Sequence, residues 1–237
     1  MDSIPLWQAE AARLALAKMA PDVVGEVEPV LPRLFQALAD GDSCIALAKH
    51  EQARLHEAKP IVGGPQQAST PLIQFADKLT LGRVWQLEAE IAGHLHRLSR
   101  PVNPEQDLSD LLQTLFDAQS SSEQQQAAAL ACVNQLAIIT GGPGTGKTTI
   151  INAIIKLFGE VRARILLAAP TGRAAKRMGE LCDRDAQTIH RMLGMTFNDQ
   201  TGEVTFTKGE KEPLEADALI VDETSMVDLS LMRALLA

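Results

Sequence analysis

Tyrosine is absent from these 237 residues, aromatic side chains of all kinds make up 3%, and cysteine occurs three times. Cys44, Cys132 and Cys182 stand far apart and are odd in number, with no C-x-x-C or Cys/His spacing. That excludes a disulfide framework and gives no zinc signature; free thiols in a reducing compartment are expected. No apolar run reaches 18 residues, so no membrane span is expected. The opening stretch MDSIPLWQAEAARLALAKMA has neither a basic start nor a clean apolar run, so no signal peptide is expected. An excess of positive charge is also missing. The net charge is −8, with 10 basic and 16 acidic side chains in residues 1–120 and 12 basic and 14 acidic in 121–237. Such a balance does not advertise nucleic-acid binding, although a narrow basic channel can sit on an acidic body. The more acidic half suits a protein contact better.

Ala, Leu, Gln and Glu take the place of the missing aromatics, above all in the first half. The most informative stretch lies later, at 136–158, LAIITGGPGTGKTTIINAIIKLF. Leu136–Thr140 reads as a strand buried on both faces. Gly141, Gly142, Pro143, Gly144, Thr145, Gly146, Lys147 and Thr148 fit G-x-x-x-x-G-K-[ST]. Such a loop must curl its N–H groups around phosphate oxygens. Glycine permits this because it tolerates positive φ and puts no Cβ in the way. Lys147 would reach the β- and γ-phosphates of ATP, and the Thr148 hydroxyl would ligate Mg²⁺. A helix from about Thr148 would aim its positive end at the same anion, with Gly159 as its C-cap.

The remainder divides by composition. Residues 1–58 read as three helices, ended by Pro21, spanning 30–38, and running from 43 to 55 with Asp42 or Ser43 as N-cap. Residues 59–71, rich in Pro and Gly, read as a loop, and 72–80 as a hairpin turning at Ala76-Asp77-Lys78. Helical patterns follow at 81–98, 107–116 and 123–133. The polar stretch 117–122 marks the expected domain boundary, giving a mostly helical 1–117 and an α/β unit 118–237. In the second unit, 163–169 and 218–221 read as buried strands, and 197–206 as a hairpin around 199–202.

The strand at 218–221 runs into Asp222 and Glu223. In a parallel sheet those carboxylates share the carboxyl edge with the phosphate loop. Asp222 would hold Mg²⁺ beside Thr148, and Glu223 would act as general base toward the attacking water. With Lys147, Glu223 is the candidate catalytic residue. No arginine in the chain presents itself as the transition-state finger.

Four segments together, GGPGTGKT, PTGRAAKRM, TIHRMLG and VDETSM, resemble the 5′-to-3′ branch of superfamily 1 DNA helicases, and within it the RecD family, the alpha subunits of exodeoxyribonuclease V. The resemblance runs from about residue 72 onward. It implies a RecA-like P-loop NTPase fold and ATP-driven translocation in the repair of double-strand breaks, in the bacterial cytoplasm on the nucleoid. It implies that Gln124 contacts adenine, and that Thr149 completes the nucleotide site formed by 141–148. It implies that Pro170, Thr171, Gly172, Arg173 and His190 touch DNA. It further implies single- and double-stranded DNA ends as substrates, and RecB- and RecC-like subunits as partners, the N-terminal region docking on the latter. Thr224 stands where relatives often have Ala. The later helicase motifs do not occur before Ala237, so the chain is expected to be an N-terminal piece of a longer protein, its sheet incomplete. Two other readings stay open: a P-loop ATPase switch that moves no DNA, and a non-catalytic partner-binding module.

Overall fold

A computed structural model describes residues 4–67, 69–102, 109–116, 122–142, 144–197 and 204–237. Contacts divide the chain into two units, 1–90 and 91–237.

In the first unit, α1 (Ile4–Met19), α2 (Val24–Val27) and α3 (Leu31–Ala39) come first. Gly41, at φ 95°, ends α3, and Asp42 N–H returns to Ala37 O at 2.8 Å. This is a glycine C-cap: only a residue tolerant of the left-handed region lets the chain turn back so sharply. The expected helix at 43–55 does not start there, because Ile45 and Ala46 pair with Leu79 and Lys78. Ile45–Ala46 forms β1 instead, and the helix, α4, is Lys49–His56. Glu51 caps α4 by accepting the Ala48 N–H at 2.8 Å, half of a capping box, since an alanine side chain cannot return the bond. The stretch 59–71 contributes a short strand, β2 (Val62–Gly63), and the hairpin is β3 (Leu72–Phe75) with β4 (Lys78–Leu81). The four strands line up as β1-β4-β3-β2, with only β2–β3 parallel. Leu34, Ile61 and Leu79 are fully buried, and Thr80, the one buried polar side chain among the described residues, donates to Ser43 O at 2.6 Å. Helix α5 (Gly82–Leu98) carries the chain across the division.

The second unit continues with α6 (Ser109–Leu115), α7 (Ser122–Val133), α8 (Lys147–Glu160), β5 (Ile165–Ala169), α9 (Gly172–Cys182), β6 (Ala186–Thr188) and α10 (Ile189–Met192). Then come β7 (Met195–Phe197), β8 (Val204–Phe206), β9 (Ala218–Val221), a single 3₁₀ turn at Thr224–Met226 and α11 (Leu229–Leu236). Strands β6-β5-β9 form a parallel sheet. Side chains alternate across it, as the pleat requires. Ile165, Leu167 and Ile220 face Ile151, Ile155 and Met178 of α8 and α9. Leu166, Ala168, Leu219 and Val221 face Ile189, Met192, Leu231 and Ala234 of α10 and α11. This is a parallel sheet with helices on both faces, the α/β P-loop architecture expected.

Four expectations need correction or redrawing. Leu136–Thr140 forms no strand: Ile138 is 75% exposed, and no other strand of the described residues lies alongside to pair it. Helix α8 runs through Gly159 to Glu160, and Arg162 (φ 56°), not the glycine, takes the left-handed turn. Contacts divide at 90/91 rather than near 117, because Leu111, Leu112, Leu115 and Phe116 pack with α7 and α8. The hairpin strands at β7 and β8 pair as expected, but its turn, 198–203, lies outside the described residues, as do 117–121.

Candidate nucleotide-binding site

Helix α8 ends only four residues before β5 begins, so it runs antiparallel to the sheet strands it covers. Its N-terminus therefore lies at the carboxyl edge of the parallel sheet, where ligands of open α/β folds collect. Three other chain turns leave the same edge. Register sets Ala169 opposite Thr188 and Ala168 opposite Val221. Thus Pro170–Arg173, His190 and Asp222–Glu223 follow neighbouring strand ends, and Asp222 N–H bonds Ala168 O at 3.0 Å.

The phosphate loop is shaped by its own residues. Gly144 and Gly146 have φ of 76° and 82°, a region closed to most side chains. A Cβ on Gly141 would stand 2.6 Å from Thr145 Oγ1, and one on Gly146 would stand 2.3 Å from Gln124 Nε2. Thr145 Oγ1 donates to Gly142 O at 2.9 Å. Lys147 Nζ donates to Gly141 O at 2.6 Å and Gly142 O at 2.9 Å, so the ammonium is held against the loop's curl. Pro143 lies outside the described residues. This cradle, which added Cβ atoms would fill, together with an ammonium and a helix N-terminus, fits a polyphosphate. Among the described residues no cluster of three His, Cys, Asp or Glu side chains could hold a metal by itself. Thr148, half-buried, and Asp222, half-buried, are hard oxygen donors of the kind Mg²⁺ takes when phosphates supply the remaining ligands. Thr149, next to Thr148 in α8, is exposed.

Glu223 occupies the left-handed region at φ 56°, and its N–H donates to Asp222 Oδ1 at 2.9 Å. A non-glycine residue held there stores strain of the kind that collects at functional sites. The exposed Glu223 carboxylate follows the half-buried one of Asp222. Nearby, burial raises the Cys182 thiol above its ordinary range, the Asp222 charge raises it further, and Arg184 partly offsets both.

On the DNA-contact candidates the structure is uneven. Thr171 is the N-cap of α9, its Oγ1 accepting from Ala174 N–H at 3.2 Å, which leaves its own hydroxyl proton to donate. Gly172 and Arg173 are exposed, Pro170 is buried, and His190 is half-buried on the four-residue α10. Gln124, in α7, reaches the phosphate loop: its amide Nε2 donates to Thr145 O at 2.9 Å. That bond was not legible in the sequence, nor was the Thr145 side-chain bridge.

The family model described as "AAA domain" matches residues 124–237. The chain is 32% identical to the RecBCD enzyme subunit RecD of Mycobacterium tuberculosis, over 84% of this chain and 40% of that protein. It is 32% identical to the subunit of the same name from Mycolicibacterium smegmatis, over 95% of this chain and 46% of that one. The chain thus resembles RecD subunits over most of its length, and its second unit is of the P-loop NTPase kind. It spans less than half the length of these RecD relatives. It is also 42% identical to the ATP-dependent RecD2 DNA helicase of Deinococcus radiodurans, over 49% of this chain and 16% of that protein. Among the described residues no helix is long and apolar enough to cross a membrane.

Proposed function

We propose that this chain supplies the nucleotide-binding motor unit and a partner-docking region of an ATP-dependent 5′-to-3′ DNA helicase subunit in an exodeoxyribonuclease V-type complex. It would act on DNA ends in recombinational repair, in the bacterial cytoplasm. The observation that carries this reading is the convergence at one sheet edge of the phosphate loop, the Thr171 turn, His190 and Asp222–Glu223.

In this reading ATP would lie in the loop formed by 141–148, and Thr148 and Asp222 would hold Mg²⁺. The ion, when bound, neutralises phosphate charge. Lys147 exchanges its loop carbonyls for phosphate oxygens, so its charge serves the transferring group. Glu223 orients the attacking water and takes its proton. The exposed Arg173 and the hydroxyl proton of Thr171 follow the strand next to the one that ends in Asp222–Glu223, which suits contact with a DNA phosphate at the same edge.

The first unit supports the docking role. Helix α1 exposes Leu6, Trp7 (72% exposed), Leu14 and Met19. A groove of about 670 Å³ runs beside it, lined by Trp7, Ala11, Phe35, Pro71, Leu81 and Arg83. Exposed apolar side chains gathered this way mark a contact surface more often than scattered ones do. RecC- and RecB-like subunits are the proposed occupants of the complex.

The test is ATPase activity of the complete protein containing this chain, with and without single-stranded DNA. DNA-stimulated turnover abolished by Glu223→Gln is expected. Turnover indifferent to DNA would favour the ATPase-switch reading, and turnover unchanged in Glu223→Gln would remove the site altogether.

A further inference from the structure

We infer that the first unit carries a peptide-binding groove at the end of β2, shaped for an extended segment with an acidic side chain. The inference is independent of the nucleotide reading, and the groove shares no lining residue with the one beside α1.

Strand β2 stops short of the strand it accompanies. Register pairs Val62 with Leu72 and Gly63 with Ile73, and β3 runs on to Phe75. Leu72 N–H bonds Ile61 O at 3.0 Å, so Leu72 and, two residues on, Gln74 turn their backbone groups toward β2. In a parallel ladder the Gln74 carbonyl would next accept from residue 65. That residue is Pro65, which has no N–H. Gly64 does not stand in for it, because its N–H donates to Gln67 Oε1 at 3.1 Å. The Gln74 carbonyl is thus an acceptor with no ladder donor, on an open stretch of sheet edge.

A cavity of about 360 Å³ opens at that place. Leu55 and Val62, both buried, give it an apolar wall, and Lys59, Gln67 and Gln74 give it polar groups. Gly63 lets the 67–70 turn close on β2: a Cβ there would stand 2.5 Å from Thr70 Oγ1 and 2.9 Å from Gln67 Cβ. The Gln74 side chain is half-buried and makes no hydrogen bond among the described residues. Gln67 uses its Oε1 on Gly64 and keeps its Nε2 protons to donate. Lys59 is exposed and in no ion pair among the described residues, whereas His56 at the rim stands 3.7 Å from Glu57. No carboxylate is among the described residues that line the cavity.

An apolar wall with a few unpaired polar groups is how ligand pockets are built. The set matches an extended peptide. A backbone N–H of the peptide takes the Gln74 carbonyl and continues the pairing of β3 where Pro65 breaks it. An aspartate or glutamate side chain takes the Lys59 ammonium and the Gln67 amide.

The test is fluorescence anisotropy of the complete protein with the peptide Thr-Val-Glu-Val-Thr, labelled at its N-terminus and amidated at its C-terminus, and with its Gln counterpart. Expected is tighter binding of the Glu peptide by about 3- to 5-fold, as for one exposed ion pair. Lys59→Gln should erase that preference and leave the Gln peptide's affinity intact. Lys49→Gln, which removes an equal charge from the first turn of α4, should preserve the preference. Backbone N-methylation of the three central peptide residues should abolish binding, since it removes the N–H that meets Gln74 O. Equal affinities for the Glu and Gln peptides overturn the inference, as does a preference that survives Lys59→Gln or vanishes in Lys49→Gln. So does an N-methylated peptide that binds as well as its parent, or N-acetylglutamate competing as strongly as the unlabelled peptide. Absence of binding to either peptide at about 1 mM overturns it too.

Discussion

Leu34 and Leu79 in the first unit are fully buried, whereas Ile138, in the stretch that leads into the phosphate loop, is 75% exposed. The first unit closes its small sheet under α1 and α3 and carries no catalytic candidates. The second unit holds every one of them, and its burial is graded. β5, with a neighbour on each side, has Leu167, Ala168 and Ala169 buried; β9, at the sheet's edge, is only half-buried throughout. Leu136–Thr140 has no strand beside it among the described residues. The loop that follows keeps its curl all the same, through two left-handed glycines, the Thr145 and Lys147 bonds, and Gln124. Loop shape in this molecule is set by short-range polar geometry, and stability by how many layers cover a strand.

The contrast can be broken in several places. The largest expected effect falls on chemistry. Lys147→Ala should cut ATP turnover of the complete protein by about 10²–10³-fold, the cost of losing one preorganised donor to developing charge. Steady-state rates at saturating ATP check this, and far-UV circular dichroism should show no loss of helix.

Next comes the closed core of the first unit. Leu34→Ala should cost about 2–5 kcal/mol, the range for truncating a buried leucine. Both tryptophans, Trp7 and Trp85, belong to this unit, so urea unfolding followed by their fluorescence reports it alone. Triphosphate affinity should not change; a parallel loss would mean the two units are energetically one.

A smaller effect is expected at the cap of α4. The Ala48 N–H bond, then the Arg33 guanidinium, hold the Glu51 carboxyl below the usual range. A folded value lower than the unfolded one stabilises at neutral pH and is lost as pH falls through the folded value. Glu51→Ala should therefore destabilise by about 1 kcal/mol at pH 7. The gap to wild type should narrow below about pH 4, near the unfolded carboxylate value. A gap that stays constant with pH would mean the charge contributes nothing.

Smallest of all, Ile138→Asn should change unfolding free energy by no more than about 0.5 kcal/mol, since a side chain so exposed has little burial to lose. A loss of 2 kcal/mol or more would show that this stretch is covered in solution, and would erase the difference between the two regions.

Much of this was readable in advance where the signal is local. The positive-φ glycines of the phosphate loop and the apolar runs at 165–169 and 218–221 follow from steric limits on single residues or from short periodicity. The third helix was misplaced because the pattern at 43–55 is helical in amphipathicity, while Ile45 and Ala46 are claimed by pairing with Leu79 and Lys78, more than thirty residues away. The buried strand at 136–140 was misplaced for the converse reason: an apolar run states a demand for cover and cannot say whether a neighbour meets it.

The sequence by itself determined where the phosphate loop curls, which residues carry its ammonium and hydroxyl, and where the paired carboxylates end their strand, because backbone sterics and side-chain chemistry act within a few residues. Only the tertiary structure decided which strands gain neighbours, that Pro170 is buried while Arg173 is not, and that Gln124 reaches a loop carbonyl, because each depends on surfaces brought together from distant parts of the chain.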